Sequence, residues 1–324
     1  MKVTHRWDIR GPTPEIVTVR SSTNVEKLLT RLVAMLAIAF GLIGAFVFGA
    51  ADFFGGLAAK RISALRVTAL VATSGLVFLL VAFPFIGGVG SNSAVLLGML
   101  SGLTGAAAIG LLYACLAIGP MSILSPVTAV VSAIVPVCVG LARGEAFGAL
   151  GWTAIVVALI AVVLVGFVPD SRAVRPSARA LTMAVASGAL IGVFLVLIDL
   201  TPDDSGLVPL LANRATNASL LFLTIGLIAV VRARRGTSTV ASPGGRWRPG
   251  IRIAILAGLA DATANTLLLF ALREGDLSVV SVLTAMYPAG TIILAAVVLR
   301  ERIAPTQWVG LALALTAAGM LTAG

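Results

Sequence analysis

The feature that most restricts this chain is a succession of apolar stretches, each long enough to cross a bilayer. A helix rises 1.5 Å per residue, so about 20 apolar residues span the hydrocarbon layer. Such stretches lie near 32–56, 66–87, 94–117, 121–141, 149–168, 179–199, 207–231, 252–272, 277–299 and 305–323. The connectors hold helix breakers: Gly87-Gly88, Gly119-Pro120, Pro169-Asp170, Thr201-Pro202 and Gly275-Asp276. Several are so short that consecutive helices must be antiparallel neighbours. Only 11% of the 324 residues are charged and 59% are hydrophobic, with mean hydropathy +1.09. A soluble domain carries about 25% charged residues. This composition excludes a soluble protein and defines an all-α polytopic membrane protein of about ten transmembrane helices.

A formal net charge of +10 in a soluble chain would point to nucleic acid. Here the basic residues lie mostly between the spans and speak of topology instead, so no nucleic-acid partner is expected. Cys115 and Cys138 fall inside apolar runs, where cysteine is a small packing residue. The single histidine, His5, sits in the polar tail. Neither a disulfide framework, a metal site nor a cofactor is implied. Residues 1–31 read as a disordered polar tail, longer than the n-region of a signal peptide.

The chain also repeats itself. A shift of 156 residues lays 102–165 over 258–321 without a gap. Gly119 falls on Gly275, Ser122 on Ser278, Ser125 on Ser281, and Thr128-Ala129 on Thr284-Ala285. Glu145 falls on Glu301 and Trp152 on Trp308. Shared leucines arise by chance; a glutamate and a tryptophan recurring in one frame do not. Leu-Ile-Gly-x-Phe at 42–46 returns at 190–194, and each copy leads to an aspartate, Asp52 and Asp199. The expected units are a first five-helix repeat over 32–168, a linker over 169–178 and a second repeat over 179–324. Five is odd, so the second copy enters the membrane from the opposite face. Two such inverted repeats are a recurring architecture of secondary transporters.

The segment LLYACLAIGPMSILSPVTAVVSAIVPVCVG, followed by ARGEAFGALGWTAIVVALIAVVLVG, resembles the EamA-type domain of the drug/metabolite transporter superfamily. Its partner, LLLFALREGDLSVVSVLTAMYPAG through VVLRERIAPTQWVGLALALTAAGMLTAG, resembles the same domain. GAADFFGGLAAKR is similar to the first helix of many bacterial members. The resemblance covers roughly residues 32 to 323 and implies transport of a small molecule across a bacterial cytoplasmic membrane, with export as one direction. It leaves the cargo open. A coupling proton or ion and a homodimer are further expectations.

A charge at mid-bilayer is costly, about 2.5–3.5 kcal/mol on insertion scales, and so needs a reason. Asp261 lies midway along 252–272, with Asn265 one turn on, on the same helical face. The pair reads as a cation, proton or amine site, or as a hydrogen-bonded tie between helices. Arg214, with Asn217 beside it, is the one basic residue well inside a span. It either pairs with Asp261 or an anionic cargo, or snorkels to the interface. Tyr113 and Tyr287 are the two tyrosines, each within a span. Pro288 after Tyr287, and Pro126 and Pro136 in the fourth span, read either as weakly broken helices whose hydroxyls and carbonyls line a pathway or as ordinary helix packing through small and hydroxyl residues. Asp52 and Asp199 come late in their spans and suit a gating or structural role. Glu145 and Glu301, beside Arg143 and Arg300, carry the same expectation. Gly98-x-x-x-Gly102 and Gly188-x-x-x-Gly192 read as packing faces.

No Walker frame surrounds Lys2, Lys27 or Lys60, so ATP-driven pumping by this chain alone is not expected. No nucleophile–base pair can be assembled, which argues against an enzyme. The alternatives are a membrane sensor or accessory subunit, and a translocator of lipid-linked cargo. The odd-numbered connections hold fourteen Lys and Arg against two, Arg143 and Arg273, in the even ones. By charge that places both termini outside. The basic tail and the habit of the family place them inside, so the two signals oppose each other.

Overall fold

The computed structural model describes residues 22–118, 121–166, 176–234, 247–300 and 302–323. Among these the chain is helical throughout: α1 (Ser22–Ala59), α2 (Ala64–Ile86), α3 (Asn92–Ile118), α4 (Met121–Ala142), α5 (Ala149–Gly166), α6 (Ala178–Asp199), α7 (Val208–Arg234), α8 (Trp247–Glu274), α9 (Leu277–Thr284), α10 (Tyr287–Val298) and α11 (Pro305–Ala323). A single 3-10 turn, Asp203–Ser205, precedes α7. Eight segments are long and apolar enough to cross a membrane, with Pro126–Ala142 a shorter apolar helix.

The helices obey the exchange that the sequence repeat predicts. The first half is α1 to α5; in the second, α6, α7, α8, the α9–α10 pair and α11 stand in the same order. α1 lies along α8 as α3 lies along α6. α4 crosses α6 as α9 and α10 cross α1. α2 lies beside α8 as α3 lies beside α7, while α2 meets α7 and α5 meets α11. Swapping the halves returns each of these principal contacts. Each half holds four of the eight segments long and apolar enough to cross a membrane.

Two differences from the sequence reading stand out. α1 begins at Ser22, so the last part of the expected tail is helix. Val25, Leu28 and Leu29 with Glu26 and Lys27 form a helix-favouring run that continues into the span without a breaker. At 38 residues α1 is about 57 Å long, well beyond the hydrocarbon thickness. The ninth span is two helices, broken at Ala285–Met286, with Pro288 in the first turn of α10, where its missing donor is tolerated. The matching break in α4 does not occur: α4 runs through Pro126 and Pro136 unbroken.

Glycine decides where backbones meet. A Cβ on Gly49 would lie 2.6 Å from Thr291 N and 2.7 Å from Gly290 Cα, so α1 and α10 touch backbone to backbone. Both expected glycine faces pack closely: Gly102 onto Thr216 of α7, and Gly192 onto Val135 and Pro136 of α4. The interior holds two main apolar clusters. One joins Ala133 and Val137 of α4, Ile155 and Val162 of α5, Leu283 of α9 and Ala317 of α11. The other joins Leu79, Leu195, Leu210, Leu268 and Leu277 across α2, α6, α7, α8 and α9. Outward, Leu223, Leu227, Val297 and Leu315 are exposed, as lipid-facing leucine and valine must be.

Candidate functional site: an ion pair within the bundle

Asp261 of α8 and Arg214 of α7 form a salt bridge between the terminal guanidinium nitrogen and Oδ2. The Arg214 and Asp261 side chains are only 10% and 21% exposed, so the pair sits inside the bundle with one edge open. Its setting follows from small neighbours. Gly75 of α2 faces the Gly258 carbonyl of α8, and a Cβ there would lie 3.8 Å from Arg214 Cδ. The arginine stem therefore runs through a slot between α2, α7 and α8. Asn265 Nδ2 donates to the Asp261 carbonyl at 2.8 Å and to its Oδ1 at 3.4 Å, which holds the carboxylate toward the arginine. Neither charge is left alone, as a low-dielectric setting requires.

A string of amides and hydroxyls backs the arginine. Asn217 Nδ2 donates to Asn213 Oδ1 at 3.4 Å, and Asn213 Nδ2 donates to Ser101 Oγ at 2.8 Å, which ties α7 to α3. Ser101 Oγ in turn donates to the Gly98 carbonyl at 2.7 Å. Asn213 and Ser101 are buried, and neither residue stood out in the sequence as a site. The signal for Asn213 was its position beside Arg214 in LANRATN.

Asp52 occupies the other flank. It lies on α1 within electrostatic reach of Asp261, and Tyr287 at the start of α10 lies within reach of Asp52. The Asp52 residue is exposed, and a Cβ at Gly55 or Gly56 would meet nothing within 4 Å. Three residues the other way, Gly49 is wedged against α10. Helix α1 is thus tight toward its middle and open beyond Asp52. The sequence reading separated Asp52, a late acid, from the mid-membrane site; the structure brings it beside Asp261 and Tyr287. The Tyr113 side chain and the whole of Glu301 lie outside the described residues.

Among the described residues, Glu145, Asp199, Asp203 and Asp204 gather at one face of the bundle, where the α2–α3, α4–α5, α6–α7 and α8–α9 connections meet. Asp199 pairs with Arg143 across the α6 and α4 ends. Glu145 leaves the neighbouring arginine to Asp199. Its Oε1 accepts from Leu277 N at 2.9 Å and its Oε2 from Ser278 N at 3.2 Å, the first two amides of α9. A carboxylate at a partly buried helix N-terminus contributes up to ~2 kcal/mol. Arg273 donates to the Thr201 carbonyl at 2.8 Å and to Thr201 Oγ1 at 2.6 Å, with Asp203 at 3.5 Å. Val89 N to the Asp204 carbonyl, 2.8 Å, and Leu207 N to the Gly87 carbonyl, 3.0 Å, pair two connections. Gly206 at φ 48° is the left-handed residue this pairing needs.

An apolar groove of about 310 Å³ on the outside of α5 is lined by Val130, Val156, Leu159, Ile160, Val163 and Leu164. It offers no polar group and is lipid-facing. Among the described residues, no three His, Cys, Asp or Glu side chains gather as metal ligands.

Eight segments able to cross a membrane, a charged pair in the interior and a knitted face together define a multi-pass membrane protein with a polar interior. Residues 178–323 match the EamA-like transporter family. The C-terminal half of the chain therefore matches an EamA-like transporter domain of the drug/metabolite transporter superfamily, a family of membrane transporters. A crystal structure with 16% identity superposes with TM-score 0.65 over 88% of this chain and 98% of its own, a likeness of fold. No curated protein matches the chain.

Proposed function

We propose that this protein is a secondary transporter that moves a small metabolite across a bacterial cytoplasmic membrane by alternating access between two inverted repeats. The first repeat spans 32–168 and the second 179–324. The pathway runs between the halves, past Asp261, Asn265 and Arg214, with Asn217 behind the arginine and Tyr287 along its wall. Asp52, Asp199, Glu145 and Glu301 serve gating or the fold.

The observation that carries this reading is the Arg214–Asp261 pair, two charges kept inside a bundle with one edge open. A purely structural tie would be replaced by apolar residues at little loss. A cargo site gains from the pair, because either partner can be offered to a ligand of opposite charge while the empty site stays neutralised. Exchange or an ion gradient supplies the energy, and export is the direction we favour.

The test is flux in liposomes with labelled amino acids, nucleosides, sugars and organic cations, comparing wild type with Asp261→Asn. Uptake of one class that fails in a folded mutant supports transport through this site. Unchanged uptake in the mutant retains the transporter and removes Asp261 from the pathway. Absence of flux for every class, with the protein folded, favours a sensor or accessory role.

A further inference from the structure

We infer that Glu145 is a latch between the two repeats, holding α9 in place to close the face where the α4–α5 and α8–α9 connections meet. This deepens the alternating-access reading and rests on it. Glu145 belongs to the first repeat and α9 to the second, so its two bonds to Leu277 N and Ser278 N join the halves directly.

Three observations beyond the bonds point the same way. The residue in the N-cap position of α9 is Asp276, a preferred cap, yet its side chain makes no capping bond. The helix is capped from across the interface although a local cap is at hand. Gly140 keeps the route clear: a Cβ there would lie 2.5 Å from Glu145 Cδ and 2.5 Å from Ser278 Oγ. Finally, α9 is an eight-residue piece, separated from α10 by the break at Ala285–Met286. Beyond the break, Thr291 Oγ1 donates to the Gly49 carbonyl at 3.1 Å, which ties α10 to α1. The break lets α9 move relative to α10, which this bond holds on α1.

When the face opens, the Glu145 carboxylate leaves the amides of Leu277 and Ser278, and Asp276 takes over as a local cap. That exchange keeps the orphan donors of α9 satisfied in both states, so opening carries little penalty from unpaired backbone. The Arg143–Asp199 pair on the same turn moves with α4.

The experiment uses the full chain in nanodiscs, with Cys115 and Cys138 replaced by alanine and spin labels at Ala142 and Glu274, both exposed at this face. Pulsed electron–electron distances need no cargo. Wild type should give mainly the short distance. Glu145→Ala should raise the longer-distance population several-fold, and Gly140→Ala, which retains the carboxylate but displaces it, should do the same. In the Glu145→Ala background, Asp276→Ala should lower the longer-distance population, since the open state then lacks its cap. Unchanged distributions in both Glu145→Ala and Gly140→Ala overturn the latch, whether or not any cargo is transported. Should distances respond while no cargo ever moves, the latch stands and the transport reading fails.

Discussion

Removing Asp261 alone should damage this protein more than removing the ion pair altogether. In Asp261→Asn the Arg214 guanidinium stays in its slot between α2, α7 and α8 without its counter-charge. Breaking one side of a buried pair costs about 3–5 kcal/mol. The two side chains are 10% and 21% exposed, so water at the open edge relieves part of this and the low end, about 3 kcal/mol, applies. At roughly 2 °C per kcal/mol for a chain of this size, the apparent melting temperature should fall by about 6 °C. The double variant Arg214→Met, Asp261→Leu fills the same volume with no charge and should melt within about 2 °C of wild type, since apolar replacement of buried pairs is often neutral. Differential scanning fluorimetry in one detergent, at several scan rates, measures both. Equal losses in single and double variants would refute the reasoning, because the pair would then be a net stabiliser in its own right.

Gly49→Ala should loosen α1 from α10, with an overpacking penalty of about 1–3 kcal/mol, read as a lower melting temperature; Gly55→Ala, which meets nothing within 4 Å, should leave it unchanged. Asn213→Ala breaks the bond to Ser101 and should cost only about 0.6–1.7 kcal/mol, since interhelical hydrogen bonds in membranes are weak; a loss much above that range would mean Asn213 also supports Arg214. Trp152 and Trp308, 43% and 60% exposed at the starts of α5 and α11, should lie at opposite membrane interfaces. In single-tryptophan variants, lipids brominated near the headgroup should quench each more strongly than lipids brominated near the chain end.

The frame was legible because hydropathy and repetition are coarse signals. Ten apolar runs gave the helices, and Glu145-to-Trp152 against Glu301-to-Trp308 gave the twofold relation that the contacts between helices obey. Arg214 and Asp261 could be singled out because a charge inside a span is conspicuous. That they pair was one of two readings, and choosing between them needs the relative rotation of α7 and α8, which packing around Gly75 and Gly258 sets. Asp52 and Glu145 were harder. Asp52 looked interfacial along its own helix, but α1 runs beside both α8 and α10, which brings it to Asp261 and Tyr287. Glu145 read only as a gating or structural acid in a turn beside Arg143, whereas Asp199 takes the arginine and the carboxylate reaches a helix in the other repeat. The break in the ninth span and its absence in the fourth show a further limit: proline at the start of a half-helix and proline within a continuous one read alike in sequence.

Counterflow tests the central claim most directly. Liposomes holding the protein are loaded with an unlabelled compound from the class that shows flux, then diluted into a trace of the same compound in labelled form. An alternating-access carrier exchanges one molecule for another, so label should accumulate transiently above its outside concentration and then decay. Label that only rises to equality, at a rate unaffected by the internal load, would contradict the account and point to a channel-like leak or to no carrier at all.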